Sequence, residues 1–406
     1  MDKKDNKSVV NFFAFADAKP NVPTFSEYAG KKQWIEYGAD NLYPEFLVSL
    51  SNASSKHNAL LVKEANMTAG NGWIETLSNK AFIENENGKE DLDMIAFKNS
   101  SDLNLYGSYA IAITWSKDRK SIARMTYVDV RKIRIAKDVD EKDDPAMFAR
   151  QSDGVQFYYI SADWSNTRKE KNKPELIQGF SEKYNDEATQ LMYVSQYRSG
   201  TEWYTLPQYI SAVNWISLDE EIANFHISSV MNGFTPSMII SFQGGVPSEE
   251  EMESIHKDIQ KKYAGTDNAS RVFLTFSESK ETAPEFVPIE PNSSDERFIQ
   301  LEESIQSNIV IAHGASPIVA GISIAGKLGS SDEIFEAEMV FRNNVIIPRQ
   351  RLIEKTYSKI AEINSVEGEM KLEGITSIDD MEDGITDEAM KQVDKLMDEF
   401  QEEINY

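Results

Sequence analysis

The chain has 406 residues, enough for two or three domains with a buried core. It has 42 Lys and Arg against 67 Asp and Glu, a net charge of −25, so no overall positive field could hold nucleic acid by its phosphates. If the protein contacts DNA, it either binds it through a local surface or lets the DNA pass without stable binding. The chain contains no cysteine, which excludes disulfides and thiolate sites and fits a reducing cytoplasm. No apolar run approaches the roughly 18 residues of a membrane span, so we expect no membrane partner.

The first 206 residues predict a mixed α/β region that follows a flexible arm. Residues 1–30 are basic and then apolar, but charged residues interrupt the short apolar stretch, so we interpret them as an arm and not as a signal peptide. Three helices are predicted next: one after Pro44, one that closes near Gly70, and one that runs to Gly107. Strand composition follows in SYAIAITWS, IARMTYVDVRKIRIA, VQFYYISADWS and ATQLMYVSQYR, the last two being separated by the polar loop NTRKEKNKPE.

Two long helices are predicted to bracket a compact insert. Pro207 can open the first helix and Gly233 can close it, and about 25 helical residues would span ~38 Å. The insert contains the strand SMIISF, the helix PSEEEMESIHKDIQKKYAG, which has acids in its first turn and lysines in its last, and the strands RVFLTF and EFVPIE. The second helix, SSDERFIQLEESIQSNIVIAHG, has a capping box at Ser293 and an end at Gly314. Its apolar stripe consists of Phe298, Leu301, Ile305 and Ile309.

The C-terminal part is predicted to be helical. The segment SSDEIFEAEMVFRNNVIIPRQRLIEKTYSKIAEI has helical composition almost throughout, with Pro348 as a kink or a restart. A last helix starts at Thr386, and its narrow apolar seam consists of Met390, Val393, Met397, Phe400 and Ile404. Such a seam on an acidic helix packs either on its own domain or on a neighbouring subunit.

The segment GISIAGKL, residues 321–328, is one residue short of a phosphate-binding loop. The pattern G-x-x-x-x-G-K-[ST] is met at Gly321, Gly326 and Lys327, but Leu328 lacks the hydroxyl that would reach magnesium. A helix is predicted before the loop where a strand is needed, and acids in the first turn of the following helix would repel a triphosphate. A nucleotide-binding or metal-dependent enzyme that uses this degenerate loop is therefore the alternative. An ordinary surface loop is the other local interpretation.

No other pattern indicates catalysis. The four histidines, His57, His226, His256 and His313, are scattered without metal-ligand spacing, and we expect them to be structural or exposed. The DLD at 91–93 could hold a metal, but chance explains it better in so acidic a chain. There is no G-x-S-x-G elbow, and the tyrosines and tryptophans lack interleaved basic residues, which favours core packing over base stacking. We predict no catalytic residue, no cofactor and no metal.

Three stretches resemble the portal proteins of tailed bacteriophages. Residues 37–73, YGADNLYPEFLVSLSNASSKHNALLVKEANMTAGNGW, look like the amino-terminal region of portals from phages of Bacteroidetes-type hosts. Residues 206–242 are similar to the start of the family's stem helix and then its clip. Residues 304–354 are similar to the family's most recognisable block: a helix, a His-Gly-x-x-Pro-like turn, a glycine loop, a Ser-x-Glu helix start and Ile-x-Pro-x-Gln. No single motif is unique, but their order is specific.

The resemblance implies an α+β portal fold with an α/β wing, two long stem helices flanking a small α/β clip, a tunnel loop followed by a long helix, and a short helical crown. In chain order these are the arm 1–30, wing 31–206, stem helix 207–234, clip 235–292, stem helix 293–314, tunnel loop and wing helix 315–375, and crown 376–406. The chain is short for the family, so a crown of only one or two helices is expected.

The resemblance also implies a ring, usually of twelve subunits, around a channel for double-stranded DNA at one capsid vertex of the virion. Its implied partners are the terminase large subunit, a head–tail adaptor, and the major capsid and scaffold proteins, with assembly in the host bacterial cytoplasm. An acidic lumen would repel the duplex and keep friction low. A non-viral acidic scaffold is a third hypothesis. The implied tunnel loop consists of Gly321, Ile322, Ser323, Ile324, Ala325, Gly326, Lys327, Leu328 and Gly329. Lys327 would either touch passing phosphates or pair with Asp332 or Glu333.

Overall fold

The computed structural model describes residues 32–84, 90–232, 238–242, 272–276, 294–322 and 331–374. The chain divides into two compact units. Among the described residues, unit 1 contains Asn52–Lys56 and Ser211–Ile309, and unit 2 contains all the others. Within the described ranges, no helix is both long and apolar enough to cross a bilayer.

Four helices precede the first strand: α1 Tyr43–Ala53, α2 Ser55–Ala69, α3 Lys80–Ile83 and α4 Leu92–Tyr106. The Asp91 carboxylate accepts a hydrogen bond from the backbone N–H of Met94 and so caps the first turn of α4. Gly107 ends α4 in the left-handed conformation, with a φ of 79°. Gly70 follows α2 with a φ of 61°, so both predicted glycine stops are confirmed.

Two antiparallel three-stranded sheets form the rest of the predicted α/β region, with the strand orders β2-β1-β6 and β3-β4-β5. The strands are β1 Ser108–Trp115, β2 Ile122–Val128, β3 Ile133–Ile135, β4 Phe157–Ile160, β5 Glu175–Gln178 and β6 Thr189–Ser195. All four predicted strand segments contain strands, and one of them divides into β2 and β3 at a 3-10 turn. The sequence did not predict β5 or the helix α5, Pro145–Ser152, because each is too short to show an apolar period.

The core of unit 2 joins α4, the first sheet and the later helix α9, Ile347–Ile363. Polar contacts inside this core orient α9. The Tyr357 hydroxyl accepts from the Asn99 side-chain amide at 2.8 Å, and the Tyr109 hydroxyl donates to the Thr356 hydroxyl at 2.8 Å. These bonds hold α9 against α4 and β1, so the segment that leads into α9 starts from a rigid support.

Unit 1 contains helix α6, Val213–Asn232, a parallel pair of strands, and most of helix α7, Ser294–Ala312. The strands are β7 Met238–Phe242 and β8 Val272–Phe276, and they confirm two of the strands predicted in the insert. Asp219 on α6 accepts from the Ser54 hydroxyl at 2.8 Å and pairs with Lys56. The helix and the third strand predicted in the insert lie outside the described residues.

The predicted start of the first long helix at Pro207 is wrong. Gln208–Ala212 form a 3-10 turn, and the α-helix begins only at Val213. The Tyr209 side chain is buried, and its hydroxyl donates to the Leu105 carbonyl at 2.6 Å. This tertiary contact sets the backbone path of the turn, and a helical propensity in the sequence does not reveal it.

The C-terminal helical region has three parts. Helix α8, Ser331–Phe341, leads into a π-helical segment, Arg342–Ile346, and then into α9. Pro348 is the second residue of α9, and the backbone stays helical from the π-helical segment into α9. The chain therefore changes from π-helical to α-helical bonding at the position predicted as a kink or a restart. The last predicted helix, the N-terminal arm, and Ser293 and Ser330 lie outside the described residues.

Candidate functional site

Of the nine residues predicted to form the tunnel loop, the described ranges include Gly321 and Ile322. Gly321 has a φ of 74°, and within the described ranges no other group lies within 4 Å of a Cβ built there. The others, Ser323, Ile324, Ala325, Gly326, Lys327, Leu328 and Gly329, lie outside the described residues. The candidate site is therefore defined by the two segments that hold this loop: the leading flank, residues 313–322, and the trailing flank, helix α8.

The leading flank is a chain of tight turns. Gly314 follows α7 with a φ of 70°, and its N–H donates to the Ile311 carbonyl at 2.9 Å. The N–H of Ile322 donates to the Pro317 carbonyl at 2.9 Å. From α2, the Lys63 ammonium donates to the Val319 carbonyl at 2.7 Å. A phosphate-binding loop follows a strand, whereas here helix and turns stand before the loop.

A buried chain of four side chains ties the start of this flank to α2 and α9. His57 Nδ1 and His313 Nε2 lie 2.9 Å apart, and His313 Nδ1 lies 2.9 Å from Glu64 Oε1. The other Glu64 oxygen lies 3.0 Å from Arg349 Nη1. All four side chains are almost fully buried. We call this group the buried relay.

The hydrogen-bond chemistry sets the protonation pattern in the buried relay. The Glu64 carboxylate only accepts, so His313 Nδ1 carries the proton that it donates. Burial, and secondarily the neighbouring His313, lowers the pKa of His57 to about 3. A neutral His57 beside a carboxylate–guanidinium pair is the arrangement that avoids an unbalanced buried charge.

The 3-10 turn before α6 contributes Tyr209 and Gln208, which contact the side chains of the buried relay. The Tyr209 ring stacks on His313 with centroids 5.3 Å apart and meets His57 edge-on at 4.4 Å. Arg349 Nη2 donates to the Gln208 side-chain oxygen at 3.1 Å. A Cβ on Gly314 would lie 2.8 Å from Gln208 Nε2, so this position excludes any larger residue without displacement of a neighbour.

The trailing flank has little support of its own. Phe341, at the end of α8, is buried with Met67, Val319, Val345 and Ile346 in a small cluster. Most of the remaining side chains described in α8 are exposed or half-buried. The loop thus leaves from a rigidly held segment and arrives at a helix that is packed mainly at its far end.

The structure shows the local partners of the DLD motif, which the sequence analysis named as a possible metal site. Asp91 caps α4, and Asp93 accepts from the backbone N–H of Trp73 at 2.8 Å, so both carboxylates have local backbone partners. No cluster of three or more potential metal ligands occurs in the part of the chain that the structure describes. Sequence spacing missed the meeting of His57 with His313, because 256 residues separate them. His57 lies near the start of α2 and His313 directly after α7, and neither position signals the contact in the sequence.

No protein-family model matches the chain. Among curated proteins, an uncharacterised protein of Rickettsia bellii (strain RML369-C) is 25% identical over 137 residues. The match covers 33% of this chain and 34% of that protein, so the chain spans about a third of its relative's length.

Solved structures are similar over far more of the chain. A chain from the virion of a native gene transfer agent particle has a TM-score of 0.54 and 13% identity, over 86% of this chain and 88% of that one. A chain from the neck of the native particle, computed with C12 symmetry, has a TM-score of 0.51 and 14% identity, over 81% and 84%. A crystal structure of an HK97-family phage portal protein from Corynebacterium diphtheriae covers 80% of this chain and 95% of that one, with 6% identity and a TM-score of 0.45. The two matches with TM-scores above 0.5 show that the chain has a mixed helix–sheet fold similar to that of components of the gene transfer agent particle.

Proposed function

We propose that the protein is a portal: a ring, usually of twelve copies, at one capsid vertex, whose channel passes double-stranded DNA during packaging and ejection. The observation that carries the proposal is the fold similarity over 86% of the chain to a component of a virion. The sequence resemblance in residues 304–354, which include the buried relay's His313 and Arg349, supports it independently. We extend the proposal to a phage of a Bacteroidetes-type host and to assembly in its cytoplasm.

The partners follow from this role. A terminase large subunit would dock on residues 235–292 and supply the packaging energy, a head–tail adaptor would follow it, and capsid and scaffold proteins would surround the ring. The strongly acidic chain suits a lumen through which DNA slides without sticking.

Negative-stain electron microscopy of the purified full chain tests the ring directly. We expect rings with a central hole at micromolar concentration, because head-to-tail contacts with a closing rotation give a closed ring. Light scattering should report a large homo-oligomer in the same sample. A strictly monomeric species at every salt and protein concentration, with no rings after co-expression with scaffold or capsid protein, would refute the proposal.

The glycine loop has its own test. We propose that residues 321–329 line the constriction of the channel, since the leading flank holds their start rigidly while glycines leave the loop free to bend. Deletion of residues 323–328 should leave rings and capsids intact but lower DNA retention, and Lys327→Ala should have a smaller effect. Normal packaging and retention of full-length genomes by the deletion variant would remove the loop from the constriction.

We also propose that the protein hydrolyses no nucleotide. The helix and turns before the loop, and the missing hydroxyl at Leu328, support this proposal. The purified chain should show no ATP turnover and no nucleotide-dependent rise in its melting temperature. Turnover that disappears in Lys327→Ala would instead favour the nucleotide-binding alternative.

A further inference from the structure

Helix α8 exposes apolar side chains that unit 2 does not cover. Ile334 is 47% exposed, Phe335 37% and Met339 38%. At about 100° per residue these three and Glu338 fall within a sector of roughly 140° on one side of the helix. Single exposed apolar residues are ordinary, but a contiguous group on one short helix indicates a surface that is covered in use.

A groove continues this sector onto α2. It has a volume of about 510 Å³, and Val62, Lys63 and Met67 of α2 and Glu338 of α8 contribute to its lining. Val62 is 51% exposed. The Lys63 ammonium is engaged with the Val319 carbonyl, so the groove offers mainly apolar contact beside a carboxylate. We define the docking face as Val62, Ile334, Phe335, Glu338 and Met339.

The charge of the docking face restricts its occupant. Residues 331–341 include Asp332, Glu333, Glu336 and Glu338 and no lysine or arginine. A second acidic segment would be repelled there, whereas an apolar segment flanked by lysines would be attracted. The occupant should therefore be apolar at its centre and not negative at its ends.

The C-terminal segment of this chain fails that criterion. The described chain stops at Gly374, next to the Arg342 side chain just beyond α8, so residues 375–406 begin close enough to reach the face. These residues include 11 Asp and Glu against two lysines. Like charges on both surfaces disfavour this pairing in spite of the apolar seam predicted for the segment.

The N-terminal arm meets the criterion. Five of the seven residues 9–15 are large and apolar: Val9, Val10, Phe12, Phe13 and Phe15. Lysines stand on both sides, at positions 3, 4, 7 and 19, and residues 1–20 have four lysines against three aspartates. Sixteen residues lie between Phe15 and Lys32, the first described residue, and the 17 Cα–Cα steps give a reach on the order of 58 Å at full extension.

We propose that residues 9–15 of one copy dock on the docking face of a neighbouring copy. In a closed ring each arm then binds one docking face, and each docking face binds one arm. The contact links successive subunits and leaves no arm or docking face uncovered. The aromatic side chains fill the groove, and the flanking lysines lie near Glu338 and Glu336. This inference rests on the proposed ring, because it requires copies in contact.

Cysteine cross-linking tests the contact without background, because the natural chain has no cysteine. Two full-length chains are co-expressed, one with Phe13→Cys and one with Phe335→Cys, and are mildly oxidised. A disulfide needs the two Cβ atoms within about 4.5 Å, so we expect a linked dimer at least about tenfold above the control yield. The control replaces Phe335→Cys by Val340→Cys, which is 60% exposed but lies about 140° around the same helix.

Further variants test whether charge contributes to the contact and whether the contact joins two chains. Lys3, Lys4 and Lys7→Glu in the arm should lower the yield several-fold, and added salt should act in the same direction. Equal yields at Phe335→Cys and Val340→Cys overturn the proposal. So does a disulfide that forms only when both cysteines are in one chain, since the arm would then fold back on its own subunit. Preferential linkage of Phe335→Cys to Met397→Cys would assign the face to the C-terminal segment and overturn it as well.

Electron microscopy of the same samples separates this inference from the proposed function. Rings without the specific cross-link refute the arm exchange alone. The absence of both rings and cross-link refutes both proposals, whereas a specific cross-link between chains in the absence of rings supports the arm exchange and contradicts the ring.

Discussion

The two flanks of the glycine loop differ in where their stability comes from. The leading flank is held by the buried relay, in which His313, Glu64 and Arg349 meet at about hydrogen-bond distance within one subunit. The trailing flank leaves Ile334, Phe335 and Met339 partly exposed. One end of the loop is thus completed by its own chain, and the other end has apolar surface that an additional partner can cover.

Polar side chains also have different roles in the two flanks. In the buried relay the four side chains meet in fixed pairs at 2.9–3.0 Å, so the group favours one arrangement of α2, α9 and the turn after α7. On α8 Glu336 is exposed and Glu333 and Glu338 are half-buried, and their charge selects among partners. Substitutions in the two flanks should therefore change different measurements.

The largest expected effect is the loss of one charge from the buried relay. Glu64→Ala leaves the Arg349 guanidinium buried without its carboxylate, which should lower the free energy of unfolding by about 3–5 kcal/mol. Chemical denaturation of the purified chain measures this. Glu182→Ala removes a carboxylate from an exposed pair with Lys359 and is the matched control, with little change expected.

A double substitution distinguishes a missing partner from a damaged core. Glu64→Leu with Arg349→Met removes both charges and should recover most of the lost stability, since apolar replacements of a buried ion pair are often neutral. If Glu64→Ala were as stable as the natural chain, the buried relay would not hold the leading flank.

The next effect is a dependence of stability on pH that originates at His57. Its pKa is about 3 in the folded chain, against an ordinary value of 6.5, so between these values the unfolded chain binds a proton that the folded chain does not. The His57 contribution is therefore fully present above pH 6.5 and falls as the pH decreases, by about 2 kcal/mol between pH 6.5 and pH 5.

His57→Asn isolates this contribution. The Asn side chain keeps a donor toward His313 but does not titrate, so the variant should lose less stability than the natural chain between pH 8 and pH 5. Denaturation at fixed pH values measures the difference between the two curves, in which the titration of all other groups cancels. Parallel curves would mean that the pKa of His57 is the same in the folded and the unfolded chain, and would contradict this prediction.

A smaller effect is expected at the glycine that begins the leading flank. Gly314→Ala places a Cβ in the left-handed region and 2.8 Å from Gln208 Nε2, so it should lower stability by about 1–2 kcal/mol or more. Gly321→Ala is the control, since its φ of 74° imposes the same backbone strain in open space. The difference between the two melting temperatures measures the packing around Gly314, and equal shifts would contradict that packing.

The smallest effect on folding is expected on the trailing flank. Ile334→Ser and Met339→Ser change exposed positions, so the stability of dispersed chains should change by less than about 0.5 kcal/mol. Ring yield should fall in the same variants if the docking face is covered in the assembly. A large loss of stability in dispersed chains would show that α8 is packed by its own subunit.

Much of the local structure was predictable from particular residues. Gly107 and Gly314 ended helices as expected, because only a residue without a Cβ adopts a positive φ at low cost. Pro348 marked an irregularity in the helix, because a proline cannot donate the usual backbone hydrogen bond, and the bonding changes there from π-helical to α-helical. The start of α6 was mistaken by six residues, because a distant contact of Tyr209 shapes the preceding turn.

For the candidate site, too, some properties followed from the sequence and others only from the structure. The sequence alone determined that Leu328 has no hydroxyl for magnesium, that the chain has no thiol, and that its net charge of −25 disfavours general binding of DNA. These conclusions depend only on which residue types are present, so they do not require knowledge of the fold. Only the tertiary structure decided that His57 and His313 meet at Glu64 and Arg349, and that the side of α8 toward α2 stays open. Contacts between residues some 250 positions apart depend on how helices pack, and the period of one segment does not record the position of another.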